Sequence, residues 1–314
     1  PLAPILPLLP IAAAGLGENP GDPIQTEGKG LRSDTTNLPN LVAGIDIAPT
    51  ILDHLGLSIP DEMTGKPFRA EGSRDPESLT PFRDRLDALG SRRNAALAFV
   101  FVGWLIIYLA AGAIAGREMI AHRVRRIGGL SILWIPTVIL VPAALGNPSA
   151  AVEYLLIAGL ALTLGFLSDR FVPWPRATLV PAVVGLSVIT IDLVFGSHLI
   201  TRSILGPNPG YGSRFYGIGN ELKPALMVLL LAGLAAALTG KPKSKKNAAI
   251  VLGFGLGLGV VLGSGRLGAG VGAAIIVASA TAVAALMMLP GKMTAKRGAI
   301  LIAAPVIGLA LLAV

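Results

Sequence analysis

The sequence predicts a mainly α-helical protein, a polytopic membrane domain of about eight spans preceded by a polar segment ending near residue 94. Three observations predict it. Only 14% of residues are charged, against about 25% in an ordinary soluble domain. Mean hydropathy is +0.71, and the apolar excess sits after residue 94 in repeated runs of membrane-spanning length. Basic residues then collect in every second loop between those runs.

The runs fall at about Ala95–Ala115, Gly128–Leu145, Ala151–Ser168, Thr178–Gly196, Pro224–Thr239, Ala248–Gly263, Gly270–Leu289 and Ala299–Val314. Each is near the roughly 20 residues needed to cross a hydrocarbon core. One alternating set of loops holds Arg117, Arg123, Arg125, Arg126, Arg170, Arg176, Lys241, Lys243, Lys245, Lys246, Lys292, Lys296 and Arg297. The opposite set holds only Arg202, Arg214, Lys223 and Arg266. Basic loops stay in the cytoplasm, so residues 1–94 and the loop from Ser197 to Lys223 are expected outside a bacterial-type plasma membrane. The run Lys241–Lys246 also favours anionic lipid head groups.

Glycines recur in the sixth and seventh spans. Gly253 with Gly257, and Gly255 with Gly259, share helix faces by their spacing of four. Small residues so placed let helices approach closely in lipid, which is the expectation here.

Composition excludes several classes. A net charge of +8 invites a nucleic-acid reading, but no basic face interleaved with aromatics exists, so no nucleic-acid partner is expected. The chain has no cysteine, which excludes a disulfide framework, a thiol nucleophile and a cysteine metal site. No Walker motif, dinucleotide fingerprint or H-E-x-x-H occurs. The opening PLAPILPLLPIAAAGLG has four prolines in ten residues and no basic start, so it reads as a buried strand and loop rather than a signal peptide. On that reading the chain begins inside a domain.

Residues 31–69 carry the densest pattern before the membrane. LVAGIDIAPTILDHLG suits a short buried helix with Asp46 as cap, Pro49 in the first turn and Gly56 as stop. The stretch IDIAPTILDHLGLSIPDEMTGKPF closely resembles the C-terminal end of the alkaline-phosphatase superfamily fold. LRSDTT and, in the long outer loop, GSRFYGIGNE resemble a membrane-bound branch that joins such a domain to a multi-span region. The resemblance implies three parts: an α/β remnant over 1–75, a linker over 76–94 and the membrane domain over 95–314. It also implies a Ser or Thr nucleophile and a divalent metal (Zn, Mn or Mg) in a longer parent, mostly upstream of Pro1. No D-H-G motif lies in residues 1–94, and Ser33, Asp34, Thr35 and Thr36 stand where many members place a metal-ligating histidine. No metal is therefore expected on the residues given, and no catalytic residue is named among them.

The segment His198–Pro224 is the most unusual of the membrane part. Arg214, Tyr216, Asn220 and Glu221 stand close together with Gly212, Gly217 and Gly219 between them. Arginine grips phosphate or carboxylate in a bidentate way, and Glu221 serves either as a base or as the partner of Arg214. Asp192 lies within the fourth span near its outer end, where a carboxylate is costly and a candidate for function. Arg266 either joins Arg214 around one anionic group or stands alone in water. His54, His122 and His198 are read as structural or incidental.

Two readings follow. One is a membrane-bound hydrolase or phosphotransferase acting on phosphorylated cell-envelope substrates. The other is a transporter, flippase or polymerase-like module for lipid-linked glycans with a non-catalytic outer domain. A pure anchor is disfavoured, since eight spans exceed what anchoring needs. The expected partners are membrane lipids and a phosphorylated or lipid-linked precursor. A topology reporter fused at Lys245 should report cytoplasm and one at Asn208 the outside; the reverse pair of signals would overturn the orientation.

Overall fold

The computed structural model describes residues 29–113, 118–207 and 215–291 apart from 37, 64, 266 and 269, with 11, 294, 295, 298, 299 and 303. The expected strand over the first residues and most of the eighth span, Ala299–Val314, lie outside the described residues. Helix makes up 70% of the structure and strand 4%, so the mainly α class holds. The chain divides into two compact units. One holds residues up to Gly90 with Pro207–Tyr216; the other holds Ser91–Gly206 and the residues from Gly217 on.

In the first unit, strands β1 (Lys29–Arg32) and β2 (Arg69–Ser73) pair antiparallel, Leu31 opposite Ala70 and Arg32 opposite Arg69, with an irregularity after Lys29. Helix α1 (Ile47–His54) follows a 3-10 turn at Gly44–Asp46. Its end forms as expected. Gly56 sits at φ +68°, and the amides of Gly56 and Leu57 donate to the carbonyls of Asp53 and Leu52. These two bonds satisfy carbonyls that the last helical turn would leave open.

The start of α1 corrects the sequence reading. The Asp46 side chain does not cap its own helix. Fully buried, its carboxylate accepts the amides of Ala43 at 2.9 Å and Lys66 at 3.0 Å. Thr50 donates to the Asp46 carbonyl at 2.6 Å and accepts the amide of Phe68 at 3.0 Å. Asp46 and Thr50 thus clamp the Gly65–Phe68 segment onto the helix. Gly65 completes the clamp, because a Cβ there would lie 2.1 Å from the Ile45 carbonyl oxygen. Ser33–Thr36 forms a turn closed on itself, with Thr36 Oγ1 donating to the Leu41 carbonyl and Ser33 Oγ accepting the Thr35 amide.

The stretch expected as a linker, 76–94, is helical. Asp75 caps a 3-10 turn at Pro76–Leu79 through the Ser78 amide, and α2 (Thr80–Ala113) then runs unbroken into the first apolar run. Phe82, Arg85 and Leu89 are buried at the helical spacing of one face, which gives this stretch a reason to be helix. The boundary between the units falls within α2.

The second unit is a helix bundle. It comprises the rest of α2, then α3 (Glu118–Val138), α4 (Leu140–Ala144), α5 (Ala150–Phe171) and α6 (Leu179–Val194). After these come α7 (His198–Thr201), α8 (Leu222–Leu238), α9 (Lys245–Gly263) and α10 (Val271–Met288). Among the described residues, five helical stretches of the chain are long and apolar enough to cross a membrane: Glu77–Ala113, Glu118–Ala144, Ala150–Phe171, Arg176–Val194 and Lys245–Gly263. The apolar helices Leu222–Leu238 and Gly272–Met288 are shorter. Seven of the eight expected runs therefore appear as apolar helices.

Close approach is built from small residues. A Cβ on Gly165 of α5 would lie 2.8 Å from the Ser131 amide nitrogen of α3, and Trp134 donates across the same pair to Ser168 Oγ at 3.0 Å. The α9 glycines divide by face. Gly255, Gly259 and Gly263 meet Thr281, Val277 and Ala274 of α10, whereas Gly253 and Gly257 meet nothing. Among the described residues, only one of the two faces expected from the spacing is used for packing. In the first unit, Gly65→Ala should cost about 1–3 kcal/mol as an overpacked contact, read in the whole protein as faster tryptic cleavage after Arg69. Unchanged cleavage would show that the clamp tolerates a methyl.

Candidate functional site

Helices that begin in a polar loop leave amides without partners, and the turn between α6 and α7 answers this with a carboxylate. Asp192, 9% exposed, accepts the amides of Leu199 at 3.0 Å and Ile200 at 2.8 Å. Ser197, at φ +62°, donates its amide to the Asp192 carbonyl. Its hydroxyl accepts the Gly217 amide at 3.0 Å. Asp192 is thus bonded to the backbone of α7, which gives this carboxylate its place near the end of α6.

The segment after Gly217 is threaded between other loops. Ile218 donates to the Gly268 carbonyl at 3.3 Å. A Cβ on Gly219 would lie 2.2 Å from the Leu205 carbonyl oxygen. Backbone therefore touches backbone on both sides, and the glycines noted in the sequence serve contact rather than turning alone.

Onto this segment come charged side chains from two helices. Arg93 of α2 donates through Nε to the Ile204 carbonyl at 2.8 Å and through Nη2 to the Gly206 carbonyl. Its Nη1 stands 3.7 Å from Glu221 Oε1, with the Glu221 side chain 40% exposed. At the start of α8, buried Lys223 donates to Asn220 Oδ1 at 2.7 Å. Two cations therefore meet adjacent residues, Asn220 and Glu221, and each is fixed by protein oxygens.

Arg92, the preceding residue, turns to a different loop. Its Nη1 donates to the Pro148 carbonyl at 2.7 Å, to Asn147 Oδ1 at 3.3 Å and to Glu153 Oε2 at 3.0 Å. Glu153 is fully buried. Tyr154 donates to the Arg92 carbonyl at 3.2 Å and stacks on Phe99 with ring centres 5.8 Å apart. Consecutive residues on a helix point about 100° apart, so one arginine doublet fastens two loops.

Of the residues expected to form a site, the structure brings Asn220 and Glu221 together and leaves Asp192 in its own turn. No hydrogen bond or ion pair among the described residues links Asp192 to either. Tyr216 is half-buried. Arg214 and Arg266 lie outside the described residues. The sequence reading missed Arg92, Arg93 and Lys223 as site residues. The doublet SRRN directly before the first apolar run was the available signal. Glu153 was legible only as a charge near the start of a span. Among the described residues no three His, Asp or Glu side chains are placed to hold a metal ion.

Breaking a buried ion pair by removing one partner costs about 3–5 kcal/mol. Glu153→Ala should therefore destabilise the protein by about 3 kcal/mol, while Arg92→Met with Glu153→Leu should recover most of that loss. A double-mutant cycle of thermal unfolding in detergent measures it, and strict additivity would deny the pair any coupling. Comparison with protein-family models, curated proteins and solved structures finds no match.

Proposed function

We propose that this chain is part of a membrane-bound hydrolase or phosphotransferase resembling the alkaline-phosphatase superfamily, acting on phosphorylated cell-envelope substrates. Its helical unit lies in a bacterial-type plasma membrane, with residues 1–94 outside and the basic loops in the cytoplasm. The helical unit holds the anionic head group of the substrate, and any nucleophile and divalent metal belong to the phosphatase-like part.

One observation carries the head-group assignment: Arg93 and Lys223 meet the adjacent residues Asn220 and Glu221. Arg93 is held by two carbonyls, so its charge is preorganised and loses little freedom on binding. Its Nη1 faces Glu221 at 3.7 Å, longer than the 2.7–2.9 Å of a tight charge-assisted bond, and a phosphate oxygen can compete for that edge. Glu221, exposed on one side, then acts as a base or as the counter-charge of Arg93.

A second reading rests on the same cluster, since Arg93, Asn220, Glu221 and Lys223 all belong to the helical unit. A transporter, flippase or polymerase-like module for lipid-linked glycans would place its working site there. Polyprenyl phosphate binding to the protein in nanodiscs, read by native mass spectrometry, tests both. Lys223→Met should weaken it about tenfold, roughly 1.4 kcal/mol. Equal binding of uncharged polyprenol would sink the head-group site. Transbilayer movement of the probe without phosphate release would favour the second reading.

A further inference from the structure

A separate ion-paired cluster lies at the other end of α5. Glu153 and Asp169 stand sixteen positions apart on that helix, about 24 Å at 1.5 Å per residue. The Asp169 side chain is only 3% exposed, and two arginines of α3 converge on it. Arg123 Nε stands 3.3 Å from Oδ2 and Arg126 Nε 3.2 Å from Oδ1, with side chains 49% and 38% exposed.

Arg123 hydrogen-bonds the carboxylate through its Nε, and Arg126 Nε is buried at ion-pair distance from it without a hydrogen bond. Their Nη groups make no hydrogen bond or ion pair within the described residues. One carboxylate neutralises one guanidinium, so the pair keeps a net positive charge and a row of free donors held in place. Arg125 on α3 and Arg170 on α5 are exposed and add to the charge.

The surroundings are those of a membrane interface. Arg123 lies over the ring of Phe166 at 6.0 Å and Arg170 over Phe171 at 5.7 Å. Phe166, Phe171 and Trp174 are all large exposed aromatics, and of these tryptophan is the type that gathers at headgroup level. Exposed Leu162 and Leu155 continue the apolar surface along α5. A ligand that matches both features carries an anionic phosphate with acyl chains attached.

We propose that Arg123 and Arg126, oriented by Asp169, bind the phosphate of an anionic phospholipid whose chains lie along α5. Planar guanidinium groups with free Nη edges suit bidentate contact with phosphate oxygens, and basic pockets between spans are a recognised form of lipid site. The inference rests on the membrane part of the proposed function and is independent of the Arg93–Glu221 site.

The test uses the protein in nanodiscs of phosphatidylcholine doped with phosphatidylglycerol of the same chains. Lipids retained after release are counted by native mass spectrometry. One phosphatidylglycerol should stay bound, and Arg123→Gln with Arg126→Gln should lower its affinity about tenfold. Arg123→Lys with Arg126→Lys, which keeps the charge and controls for folding, should lose less than the glutamine pair. Retention of phosphatidylcholine at the same level, or an undiminished phosphatidylglycerol adduct in the glutamine pair, would overturn the site. Displacement by millimolar inorganic phosphate would overturn the lipid in favour of a free anion. Failure to enter bilayers of either composition would overturn the membrane reading as well.

Discussion

Two buried carboxylates on one helix constrain the helical unit. Glu153 near the start of α5 and Asp169 near its end are 0% and 3% exposed, and a buried charge costs several kcal/mol unless a partner meets it. The first is met by Arg92 of α2, the second by Arg123 and Arg126 of α3. Each partner must arrive at the correct height, so the two pairs fix the axial position of α2 and α3 against α5. Apolar side chains do this poorly, because sliding one apolar helix past another leaves much the same apolar surface in contact.

Close backbone contact supplies the lateral constraint. Gly165 admits the α3 backbone, and Gly255, Gly259 and Gly263 admit α10. A side chain at Gly165 would push α3 away from α5 and stretch the Asp169 ion pairs. The loops follow from the same logic. Arg93 holds the Ile204–Gly206 backbone, and Gly219 lies against that backbone. The Asn220–Glu221 segment is thereby mounted on rigid elements, which is what a recognition site needs if its polar groups are to be aimed before a ligand arrives.

Some of this was legible in the sequence and some was not. Gly56 as a helix stop was legible, since a left-handed C-terminal residue is a local requirement. Asp46 was legible as an acid before a helix, but its actual partners are the amides of Ala43 and of Lys66, the latter twenty residues away. The same limit applied to Asp192. Its expense in an apolar helix was visible, yet the two amides that satisfy it belong to α7, a helix of four residues too short to announce itself by periodicity. The linker at 76–94 turned out to be helix because Phe82, Arg85 and Leu89 find burial, which no propensity guarantees.

The sequence by itself determined the helical class, the positions of seven apolar helices and the availability of small residues for close packing. These are properties of composition and spacing within one segment. Only the tertiary structure decided that Arg92 meets Glu153, that Arg93 rather than another cation faces Glu221, and which glycine face of α9 is used. Each of those choices depends on which helix lies beside which, and at what height. A chain read along its length carries the charges but not the distances between them.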